Sequence, residues 1–71
     1  MTPADLARVG QALYGDTWQS DLARALGVNS RTVRRWLAGA SPVPDSARAG
    51  MLQLLGRRSA EVGRTLAAMS R

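Results

Sequence analysis

Gly27 stands between two apolar patterns that cannot belong to one straight helix. Before it, Leu22, Ala23 and Leu26 recur at helical spacing and make one apolar face. After it, Val33, Trp36 and Leu37 do the same on a second helix. Glycine supplies the left-handed backbone that ends a helix without steric penalty. Val28 is then an apolar plug in the turn. Asn29 is a good N-cap, because its side-chain oxygen can accept from an unpaired amide of the next first turn. The stretch from Gln19 to Leu37, QSDLARALGVNSRTVRRWL, therefore reads as two short helices and a tight turn. The remaining segments must pack around that pair.

The outward side of the second helix carries Ser30, Arg31, Thr32, Arg34 and Arg35, and the helix contains no acid. Solubility alone does not call for such a face, whereas a DNA major groove suits it. The charge of the chain runs the same way. The net charge is +5 and all ten basic residues are Arg, the side chain that binds phosphate and guanine in planar, bidentate fashion. A genome rich in G and C explains most of the missing Lys. It does not explain the asymmetry, with a net of −1 over residues 1–29 and +6 over residues 30–71. The positive field begins at the second helix of the pair.

This stretch resembles the helix-turn-helix of the lambda-repressor and Cro superfamily, the XRE-like regulators. Gln19, the small Ala23, Gly27, Val33 and Trp36 fall in register with that motif. Trp36 is an aromatic where an aliphatic residue is commoner, and it reads as core. The resemblance is strong over about 20 residues around the turn. It extends to roughly residue 56 and does not cover the last turns. It implies an all-α fold, a compact four- to five-helix lambda-repressor-like domain with a C-terminal helix. Among small proteins of this kind, the pattern LYG…WQSDLARALGVNSRTVRRWLAG is most similar to repressors of phages and mobile elements. Repressors that accompany anti-CRISPR genes are among them.

The chain has 71 residues, which allows one domain, 1–71, with a marginal core. Helices are expected at about 3–14, 18–26, 30–38 and 44–69. Thr2 caps the first, with Pro3 at its first position and Asp5 in its first turn. Leu6, Val9, Leu13 and Tyr14 form its buried stripe, and Gly10 is small enough to let another helix approach. Asp16 or Thr17 is expected to cap the second helix, with Asp16 and Gln19 approximating a capping box. Trp18 reads as core rather than as a DNA contact. Gly39 ends the second helix of the pair, and Val43 is an inward anchor between Pro42 and Pro44. Met51, Leu52 and Leu55 make the apolar face of the last helix. Gly56 leaves two readings of it. Either one long helix runs from 44 to 69, or it breaks near 56 and Ser59 caps a fifth. The continuing pattern of Val62, Leu66 and Met69 favours the first.

Ser30, Arg31, Thr32 and Arg35 are the expected base contacts, since the resemblance places these register positions in the groove. Arg31 and Arg35 share a face as an i,i+4 pair. Gln19, Arg34 and Ser41 are assigned to phosphate, Gln19 by the resemblance, which also implies that it braces the recognition helix. Arg48 is a candidate flanking contact, Arg57 and Arg58 read as solvated, and Arg8, Arg24, Arg64 and Arg71 carry no assignment. Val62, Leu66 and Met69 are left over once the other helices enclose a core. They are expected to form a homodimer interface unless they fold back.

The expected function is a sequence-specific transcriptional regulator, a dimeric repressor of its own promoter on an inverted-repeat operator. Two recognition helices would enter successive major grooves about 34 Å apart. Its partner is double-stranded DNA with a palindromic operator, with no cofactor, small-molecule ligand or membrane. The expected compartment is the cytoplasm, in a bacterial or phage-encoded protein. An antitoxin-like protein-binding module is one alternative, and an architectural or recombination accessory protein is another. The absence of Cys and His, with one Glu and one Tyr, leaves no nucleophile–base pair for an enzyme and no usual zinc site.

Overall fold

The computed structural model describes residues 1–70. Every regular element among them is helical.

Helix α1 spans Pro3–Tyr14. It begins in a closed capping box: the Asp5 amide donates to Thr2 Oγ1 at 3.1 Å, and the Thr2 amide donates to Asp5 Oδ2 at 3.0 Å. The two hydrogen bonds with Thr2, backbone first, hold the Asp5 carboxyl below its ordinary value. Leu6, Gly10 and Leu13 are the buried positions, one every turn along a single face.

A single 3-10 turn, Gly15–Thr17, leads into helix α2, Trp18–Leu26. The capping box expected from Asp16 and Gln19 does not form, and no side chain caps this helix. Thr17 has φ −101° and ψ 41°, outside the extended region from which a cap hydroxyl reaches the next amides. The tight 3-10 turn takes the place of a cap. Trp18 is buried against Gly10, whose missing side chain leaves room for the indole.

Gly27 ends α2 with φ 71° and ψ 29°. Its amide donates to Arg24 O at 3.2 Å, and the Val28 amide reaches back to Ala23 O at 2.9 Å. This nested pair is a Schellman turn, and it satisfies carbonyls that the helix end would otherwise leave unpaired. Helix α3, Ser30–Leu37, follows at once. Its N-cap is Asn29, whose Oδ1 accepts from the Arg31 amide at 2.8 Å. Gly39 (φ 76°) repeats the glycine device at the far end, with the Ala40 amide donating to Arg35 O at 3.0 Å. Val33 and Trp36 are buried, and Leu37 is half-buried behind them.

After a loop in which Val43 packs against the core, α4 runs unbroken over Asp45–Met69. Gly56 does not break it, and Ser59 caps nothing. A helical glycine costs about 1 kcal/mol relative to Ala, which is too little to stop a helix already propagating on both sides. Ala47 and Met51 are buried and Leu54 and Leu55 half-buried, a spacing of four, three and one that forms one face. Leu52 does not belong to that face and is 51% exposed. It lies about 100° around the helix from Met51.

The core is thus Leu6, Leu13, Trp18, Leu22, Ala23, Val33, Trp36, Ala47 and Met51, drawn from every α-helix. It lies at one end of an elongated molecule of 48 × 22 × 20 Å. From Gly56 to Ser70 every residue of the chain is exposed. Among the described residues no helix is long and apolar enough to cross a membrane.

Candidate functional site

The α2–α3 pair presents α3 outward. Its inner side is nailed to the core by Val33 and Trp36, which are 0% and 5% exposed. A helix of only eight residues would not persist in water on its own propensity. It holds because both ends are closed, by Asn29 and by Gly39, and because one face is buried.

On the other side, Arg31, Arg34 and Arg35 are exposed and Ser30 and Thr32 half-buried. Arg34 Nη1 reaches Ser30 Oγ at 3.5 Å, so these two form one turn-spaced pair. Arg31 and Arg35 form the other, about 100° away for Arg34 against Arg35. Among the described residues no carboxylate pairs with any of the three guanidiniums. Their charge is uncompensated at this face.

The flanking candidates are placed differently. Gln19 is half-buried at the second position of α2, and no hydrogen bond joins it to α3 among the described residues. Ser41 is half-buried in the loop after α3 and Arg48 is exposed near the start of α4. Arg24 is tied to Asp21 at 3.1 Å on α2. Arg58 is not simply solvated. It lies 6.0 Å from the Tyr14 ring centre and 3.8 Å from Glu61. It is an exposed contact between α4 and the end of α1, at the outer limit of a cation–π approach. Arg71 lies outside the described residues. Val62, Leu66 and Met69 are 57%, 66% and 77% exposed and do not fold back on the core.

The sequence pattern missed the close approach of Gly50 to Leu26, where a Cβ would meet Leu26 Cδ2 at 2.9 Å. That contact sets how near α4 can lie to the α2–α3 pair. Its one signal was a small residue one position before the buried Met51.

No family model, curated protein or solved structure matches the chain.

Proposed function

We propose that this chain is a sequence-specific DNA-binding regulator, a lambda-repressor-like helix-turn-helix domain acting as a dimeric repressor. In this reading α3 enters the major groove of a palindromic operator. Ser30, Arg31, Thr32 and Arg35 face base edges, while Gln19, Arg34 and Ser41 hold phosphates. The observation that carries it is the outer face of α3. Three guanidiniums without a carboxylate partner and two hydroxyls stand on a short helix whose other face is locked into the core. Rigid placement is what bidentate recognition of guanine demands. Val62, Leu66 and Met69 supply the dimer contact in the same reading, and occlusion of a promoter is the mechanism.

The test is a gel-shift titration on DNA from upstream of its own gene, with a scrambled duplex as control. Selective binding is expected, and Arg35→Ala should weaken it by about 5- to 150-fold, the ~1–3 kcal/mol of one bidentate base contact. Equal, salt-sensitive binding to both duplexes would replace this reading with an architectural role. Failure to bind either would move the function to a protein partner.

A further inference from the structure

The projecting part of α4 has two unlike flanks on its exposed side. At about 100° per residue, Val62, Leu66 and Met69 fall within a sector of roughly 60°, a ridge of large apolar side chains. Ser59, Gly63 and Ala67 fall in the adjoining sector of roughly 80°, a groove of small ones. Arg57, Glu61 and Arg64 lie on the opposite side. The ridge residues are the most exposed large apolar side chains of the molecule, and nothing lies within 4 Å of where a Gly63 side chain would start.

A ridge beside a groove on one helix is complementary to its own copy, and the symmetry decides the direction. A two-fold axis along the helices exchanges left and right flanks, so each ridge faces the other copy's groove. A two-fold across the helices, which would pair them antiparallel, sets ridge on ridge. We propose that residues 59–69 of α4 pair in parallel with the same segment of a second copy, with Val62, Leu66 and Met69 seated over Ser59, Gly63 and Ala67. Even with Leu52, which lies two turns before the segment, the exposed surface of these residues comes to at most roughly 600 Å² per copy, so complete coverage by a second copy would just reach the ~1,200 Å² at which specific interfaces begin. One copy alone would leave Val62, Leu66 and Met69 side by side in water. The pairing is isologous and closed at two copies. It rests on the dimer of the proposed function and adds its direction. Both α3 helices then lie at the same end of the pair, as two half-sites of one operator require.

The chain has no cysteine, so single cysteines report the geometry cleanly. Ser59→Cys and Ser70→Cys lie about 16 Å apart along the helix. Under mild oxidation at micromolar protein, a parallel pair gives covalent dimers from both variants. An antiparallel pair can bring together at most one, and that result would overturn the proposal. Sedimentation of the wild-type chain should show a dimer, and Gly63→Leu should be monomeric with unchanged or higher helicity by circular dichroism. A dimer that survives Gly63→Leu would remove the groove from the interface. A wild-type monomer at 100-fold above the micromolar range would exclude the second copy, and if that monomer bound anionic vesicles the face would belong to a lipid surface. Arg35→Ala is expected to leave the dimer intact. A dimer without selective DNA binding therefore sinks the regulator and spares the pairing, while selective binding by a monomer does the reverse.

Discussion

Gly10 shows how much one missing methyl can matter. In most exposed helices Gly→Ala is favourable, but a Cβ at Gly10 would overlap the Trp18 indole, which is planar and 3% exposed. The ring has no flexible end to yield. Gly10→Ala should therefore destabilise the fold by about 1–3 kcal/mol, as overpacking does. At ~4–8 °C per kcal/mol for a chain of this size, the thermal midpoint reads it easily. Asp5 makes a pH prediction at the same scale. Its folded pKa is depressed by Thr2, so its contribution is present above the unfolded value of 3.8 and is lost as pH falls through the folded one. Helix content should therefore decline with acid below about pH 4, and Asp5→Asn should flatten that part of the titration. An unchanged titration in Asp5→Asn would mean the capping box contributes nothing in solution.

The α3 and α4 helices differ in what holds them. Both ends of α3 are closed by local chemistry that any reader of the chain can see: Asn29 before it, Gly27 and Gly39 in left-handed turns on either side. The helix ranges of this pair and the inward positions Val33 and Trp36 were legible for that reason. The cap of α2 was not. Asp16 and Gln19 have the right spacing, but the preceding Gly15 turns the backbone into a 3-10 turn and takes the hydroxyl of Thr17 out of reach. On α4, the expected inward face held Leu52 and not Leu54, and Leu52 is exposed. The position of α1 and α2 chose Leu54. Beyond residue 55 the described part of α4 is held by its own hydrogen bonds, the Arg58–Glu61 pair and the approach of Arg58 to the Tyr14 ring. Gly56 stands there in open space. Gly56→Ala should raise helicity, and gain up to about 1 kcal/mol where the segment's folding is measured. A loss of helicity would show that Gly56 meets something absent from the isolated chain.

The whole molecule is a small core at one end of a long rod, with its positive charge concentrated from α3 onward. If α3 binds DNA, affinity should fall linearly in log salt. Arg34→Ala, removing a phosphate contact, should weaken operator and scrambled DNA alike and lower the slope by about 1. A selective loss on the operator alone would move Arg34 from phosphate to base. The candidate site was legible as residue types on one helix face, because a 3.6-residue period sorts inward from outward without tertiary knowledge. The sequence by itself determined where the chain turns around α3 and which charges stand outside, since turns and caps depend on neighbours a few residues apart. Only the tertiary structure decided that Trp18 lies over Gly10, that Ala47 rather than Leu52 joins the core, and that α4 buries nothing after Leu55. Periodicity says which residues share a face, but burial depends on whether another element is there to meet it, and α1 is too short to follow α4 to its end.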